Sequence, residues 1–265
     1  MSDHGDSPWR RIVYRGLACA ATVMIVCAGW VTVDLLRQDV QAPAHAQSSA
    51  TVGGTGVQVA EAGSTEDVAA SSSTGPALRA DPAWVATTAA ATGIPERALF
   101  AYAAADLVID REQPECGIGW NTIAGIGYVE SAHASHGNSM LKADGWVEPR
   151  ILGPQLDGDG VAAITDTDGG AWDGDSIWDR AVGPMQFIPD TWYRWGADGN
   201  GDGAADPNQL DDAALATARY LCASGSMTTN AGWRGAVFSY NHLDSYVTAV
   251  ADAANEYARR AQSVR

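Results

Sequence analysis

Trp120, Ile123, Gly127 and Glu130 fall at i, i+3, i+7 and i+10, the spacing of a single stripe along a helix. The stripe is apolar until it ends in an acid. A carboxyl held against apolar groups without a cationic partner keeps its proton to higher pH, because desolvation disfavours the charged form. That suits a general acid. A helix-boundary glutamate that hydrogen-bonds nearby backbone would carry no chemistry, and the stripe alone leaves both readings open.

About fifty residues later, Gly183-Pro184-Met185-Gln186-Phe187-Ile188-Pro189 leads into Asp190-Thr191-Trp192. This reads as a tight turn, a short buried element and a helix capped by Asp190. Gln186 is a neutral amide among hydrophobes, able to hydrogen-bond an N-acetyl or hydroxyl group without competing for an acid's proton. Aromatic rings nearby supply stacking surface.

The remaining pattern is almost wholly helical. Asp81-Pro82 and Ile94-Pro95-Glu96 are helix starts, and helices are expected over 97–111, 120–134, 190–195, 211–223 and 244–260. No alternating strand pattern lies between them. Residues 153–178 form a long insertion rich in Asp and Gly.

Arg10, Arg11 and Arg15 precede eighteen residues, 16–33, that carry no charge. The pattern predicts a membrane segment with its N-terminus in the cytoplasm. The expected organisation is a cytoplasmic tail at 1–15, a signal anchor at 16–36, a flexible linker rich in Ala, Ser and Gly at 37–80 and one catalytic domain at 81–260. Cleavage after Ala46 would instead release the protein. Outside the anchor only Cys116 and Cys222 remain. An even count in an exported domain favours a Cys116–Cys222 disulfide, whereas two buried free thiols would suit a cytosolic protein. The net charge of -16 argues against nucleic acid and against anionic lipid headgroups as partners.

Fifteen of the acids lie between Asp144 and Asp212, against three arginines. Asp198-Gly199-Asn200-Gly201-Asp202-Gly203 repeats the first half of a calcium loop, with Asp198, Asn200 and Asp202 at positions 1, 3 and 5 and Asp206 at position 9. Position 12 is Gln209, so Asp211 or Asp212 would have to close the site. Otherwise the segment is a hydrogen-bonded Asx turn with no ion. Asp157 to Asp159 and Asp166 to Asp175 read as solvated turns. The histidines share no zinc-ligand spacing, and no nucleophile elbow is present.

Ile-Ala-Gly-Ile-Gly-Tyr-Val-Glu-Ser ending at Ser131, Asp179-Arg180-Ala181-Val182 running into the Gly183 motif, and Phe238-Ser239-Tyr240-Asn241-His242 together resemble the membrane-bound lytic murein transglycosylases of the B type, in their actinobacterial form. The resemblance covers residues 81–257. It implies a mainly α, lysozyme-like fold of the goose-type/SLT kind with long acidic loops. It implies Glu130 as the single acid and base, Gln186 as a sugar-binding amide, Tyr240 and Asn241 lining the cleft with Ser131 beside them, and a calcium loop after the second motif. The implied activity is cleavage of the β-1,4 bond between N-acetylmuramic acid and N-acetylglucosamine of peptidoglycan, leaving a 1,6-anhydro end and requiring no cofactor for the chemistry, a Ca2+ in the acidic loop being structural where present. Glycan strands are the expected partner, and the chain is expected to act as a monomer on the cell-wall side of the membrane. A hydrolytic muramidase would need a second carboxylate, for which Asp173 or Asp175 is available. A non-catalytic glycan-binding scaffold would keep the cleft without depending on Glu130.

Overall fold

The structure is a computed structural model and describes residues 80–264. The expected tail, anchor, linker and Ala46 site lie outside these residues, apart from Ala80. Among the described residues no helix is long and apolar enough to cross a membrane.

The described residues form a mainly α domain, as expected: α1 (Pro82–Thr92), α2 (Glu96–Glu112), α3 (Trp120–Ser131), α4 (Pro189–Trp195), α5 (Leu210–Cys222), α6 (Asn230–Tyr240) and α7 (Asp244–Gln262). α1 starts where Asp81 accepts from the Trp84 N–H with Pro82 in the first turn, a side-chain cap plus a residue that needs no donor there. Buried Leu99, Tyr102, Trp120, Ile123, Ile126, Leu221 and Trp233 form the centre of the core.

α3 is held between α2 and α7 at very close range. A Cβ at Gly127 would overlap the Tyr102 hydroxyl of α2, and one at Gly125 would come within 2.9 Å of the Val250 carbonyl of α7. Cys116, just after α2, is bonded to Cys222 at the end of α5, so the expected pairing is formed.

Four details differ from the sequence reading. α3 stops at Ser131 rather than near 134, because Ala132, His133 and Ala134 turn left-handed at φ 50°, 59° and 68°. Asp190 is not a cap: Ile188 holds that position, and Asp190 sits in the first turn of α4, paired with Arg194. α6 was not anticipated; its start is marked by Thr229, whose side chain accepts from Gly232 N–H. Strands do occur: β1 (Met140–Leu141) pairs antiparallel with β2 (Val147–Glu148), and β3 (Leu152–Gln155) with β4 (Arg180–Val182). Strands of two to four residues are too short to show alternation.

Candidate functional site

β4 delivers the chain into the Gly183 turn, and α3 delivers Glu130 opposite it. Gly183 needs its left-handed φ of 77° and its missing side chain, since a Cβ would strike the Pro207 carbonyl. Gln186 is also left-handed, at φ 52°, a conformation that a non-glycine residue adopts only where its surroundings enforce it. Here its Nε2 donates to the Gly183 carbonyl at 2.9 Å.

Glu130 lies half-buried in the last turn of α3. Its Oε1 accepts from the Tyr246 hydroxyl of α7 at 2.6 Å. Burial pushes the carboxyl up to about 7, outweighing the Tyr246 hydrogen bond, which acts to lower it. Tyr246 stacks on Tyr240, with ring centroids 6.4 Å apart and planes 8° from parallel. The Tyr240 hydroxyl donates to the Met185 carbonyl at 2.7 Å and meets Thr217 Oγ1 at 3.2 Å. Both phenols are driven up by burial and by the nearby Glu130 charge, so both stay neutral donors. Asn241 caps α6, and its Oδ1 is buried without a partner, an acceptor that a ligand N–H or O–H would satisfy.

Glu130, Gln186, Tyr240 and Asn241 together line a pocket open to solvent, walled further by Leu156 and Phe187. Ser131 is not among its lining residues. It is buried, donates to the Pro184 carbonyl at 2.7 Å and accepts from Ala134 N–H at 2.8 Å. It therefore stitches α3 to the second motif rather than facing a ligand. Thr191 and Tyr220 also line the pocket, and they, like Tyr246, were not anticipated. A helix from 244 was expected, and Tyr246 lies in its first turn; no short motif marks it out.

The carboxylates considered as a second base are elsewhere. Asp173 is buried and accepts from the Arg180 N–H at 2.7 Å. Asp175 accepts from Gln155 at 2.5 Å and from Arg180, and the Gln155 hydrogen bond foremost holds its carboxyl down to about 2. Among the described residues that line the pocket, Glu130 is the one carboxyl.

In the calcium-like loop, Asp198 accepts from the N–H groups of Gly201, Asp202 and Gly203, while Asn200 and Asp202 bond each other. Asp206 accepts from Asn208. Asp212, not Asp211, reaches back into this loop: it accepts from Gly199, Asn200 and Asp206, whereas Asp211 pairs with Arg97. Asp212 is pushed up to about 6 by burial, with the Asp198 charge adding to the shift. Asn208 Oδ1 nearby is buried and has no partner. The carboxylates of this loop are turned to its own N–H groups, the form of Asx turns, and among the described residues no three of them bring one oxygen each within 4.8 Å of one another.

Of the stretch from Asp166 to Asp175 expected to be solvated, Asp166, Asp168 and Asp175 are half-exposed and Asp173 is buried. Asp166, Asp168 and Asp179 each bring one oxygen within 4.8 Å of the others, and Asp179 is 0% exposed. The loop folds onto its own backbone, with Asp166 accepting from Asp168, Gly169 and Gly170, Asp168 from Trp172, and Asp179 from Thr167.

Residues 165–237 match the family described as the transglycosylase SLT domain. The matched stretch holds Gln186 and the acidic loops but neither Glu130 nor Asn241. No curated protein matches the chain. Among solved structures, the Escherichia coli lytic transglycosylase Slt35 in complex with bulgecin A aligns at 12% identity and a TM-score of 0.39, covering 67% of this chain and 78% of that one.

Proposed function

We propose that the protein is a lytic transglycosylase that cleaves the β-1,4 bond between N-acetylmuramic acid and N-acetylglucosamine of peptidoglycan. The observation that carries this reading is a lone carboxyl, pushed up to about 7, in a pocket whose other polar side chains are neutral. The match of residues 165–237 to the transglycosylase SLT domain supports it.

With its proton on, Glu130 donates to the glycosidic oxygen as the bond to the anomeric carbon breaks. The resulting carboxylate then removes the proton of the muramic acid 6-hydroxyl, whose oxygen attacks the anomeric carbon of the same residue. One carboxyl serves both transfers, no water is consumed, and the product ends in a 1,6-anhydro ring. Attack within one molecule gains from proximity, so a second carboxylate of the kind a hydrolase needs is dispensable. Tyr246 holds Oε1, leaving Oε2 to face the sugar.

Mass spectrometry of muropeptides released by residues 80–264 from purified peptidoglycan tests both product and proton. Products lighter by one water than reducing-end muropeptides are expected; reducing muramic ends would make the protein a hydrolase. Because the acid must start protonated, release should fall as pH rises through about 7. Tyr246→Phe removes the interaction that lowers the carboxyl, so the descending limb should move to higher pH. A limb that stays in place or moves down would contradict this role for Tyr246.

We propose as well a structural calcium ion, for which Asp198, Asn200, Asp202, Asp206 and Asp212 would turn from the N–H groups that they accept from to the ion. Such an ion would offset the repulsion between Asp198 and Asp212 and brace the start of α5. Millimolar Ca2+ should raise the melting temperature by roughly 5–10 °C if it exceeds its Kd about a hundredfold. Mg2+, which demands a tighter octahedron, should do less, and Asp212→Asn should abolish the shift. Equal melting curves in calcium and chelator would remove the ion from the account.

The reading places the domain on the cell-wall side of the membrane, tethered by the uncharged segment at 16–33 and working as a monomer on glycan strands. The Cys116–Cys222 bond supports an oxidising compartment.

A further inference from the structure

α7 grips α3 at two places. Near its start, Tyr246 donates to Glu130. Eleven residues on, three helical turns later and so on the same face, Tyr257 meets His133 Nε2 at 2.8 Å. The other ring nitrogen of His133 meets the Tyr102 hydroxyl of α2 at 3.2 Å. His133 is thus the central member of a buried Tyr102–His133–Tyr257 chain that crosses beneath the last turn of the glutamate helix. It is 6% exposed, and the Tyr102, Tyr128 and Tyr257 rings surround it at centroid distances of 5.7–5.8 Å.

The backbone here is held in an unfavourable form. Ala132, His133 and Ala134 are all left-handed, and each such residue costs of order 1 kcal/mol or more unless its surroundings impose it. The His133 N–H folds back to the Gly127 carbonyl at 3.0 Å, and Gly127 itself lies against Tyr102. Two helices, α2 and α7, therefore converge on His133, just past the end of α3 and three residues after the pocket carboxyl. A helix end needs only a single left-handed residue to stop; this one is followed by two more, locked by a side chain that bonds to both neighbouring helices.

We infer that His133 is a positioning residue for Glu130: by locking the left-handed end of α3 between α2 and α7, it fixes the rotation of the helix at which the Glu130 carboxyl meets Tyr246 and faces the pocket. This role rests on reading Glu130 as the acid. No charged side chain enters the chain; the groups facing His133 are the three tyrosines, with Arg260 acting on Tyr257 from α7, and those facing Glu130 are Tyr240 and Tyr246.

The test compares Tyr257→Phe, which removes one hydroxyl and keeps the ring, with His133→Ala and with His133→Gln, which can still donate to one tyrosine and accept from the other. Two quantities are read: kcat and KM for muropeptide release, and the titration of the Glu130 carboxyl followed by carbon NMR. Tyr257→Phe and His133→Ala should lower kcat about 10-fold or more at unchanged KM, on the scale set by small misplacements of a reacting group. Both should shift the Glu130 titration, and His133→Gln should restore most of both. Variants that melt earlier yet keep wild-type kcat and titration would reduce His133 to a structural residue and overturn the inference. The titration needs no turnover, so it decides the role of His133 even if Glu130 proved not to be the acid.

Discussion

Glu130→Gln should lower muropeptide release by roughly 10³-fold or more. A positioned general acid is worth about 10²–10⁴, and here a single carboxyl performs both proton transfers, so no partner remains to take over either step. Glutamine keeps the shape and its Oε1 can still accept from Tyr246, so the pocket should survive. Stability should also respond, and in a direction that separates chemistry from folding. The folded carboxyl binds its proton more tightly than an unfolded one, with its value raised to about 7. Its contribution to stability is therefore fully present at pH values below the unfolded carboxyl range and is lost as pH rises through about 7. The amide has no such dependence. At pH 8 the variant should melt no earlier than wild type while being inactive, which calorimetry and product analysis can establish on the same sample. Activity within tenfold of wild type would end the single-acid mechanism.

Breaking the disulfide should have the largest effect on stability. Cys116 and Cys222 are 106 residues apart, and closing a loop of that length removes about 4–5 kcal/mol of unfolded-chain entropy in the loop model. For a domain of this size that corresponds to a fall in melting temperature of roughly 8–20 °C. The Cys116→Ala/Cys222→Ala pair, or thiol reduction, should show it, and a change under about 2 °C would mean that the unfolded chain is already constrained. The loss should also reach the pocket. Cys222 ends α5, and the same helix carries Tyr220 in the pocket wall and Thr217 against Tyr240.

The sequence was most legible where chemistry and periodicity coincide. The Trp120–Glu130 stripe, the Gly183–Pro189 motif and Tyr240-Asn241 are separated by more than fifty residues each, yet they meet around one pocket. The cysteine count pointed to the bond that forms. What escaped were features made by tertiary contact. Tyr246 is an ordinary helical tyrosine until the crossing of α3 and α7 brings its hydroxyl to Glu130. Ser131 sits beside the acid in sequence, but the helix turns it into the protein, where it bonds Pro184. Asp212 could be separated from Asp211 only once Arg97 claimed the latter. The acids from Asp166 to Asp175 read as solvated because turn residues usually are; nothing local says that Asp173 is buried or that the loop folds back on Asp179.

The thinness of α3 has one more consequence. Gly125 and Gly127 let α7 and α2 press against it, but each glycine costs an isolated helix about 1 kcal/mol relative to alanine, and twelve residues are marginal for a helix standing alone in water. The segment therefore holds its shape only when both neighbours are in place. A partly folded copy would have no cutting edge: the acid would hang on a loose strand of chain, solvated and ionised, until the last helix docks and sets it.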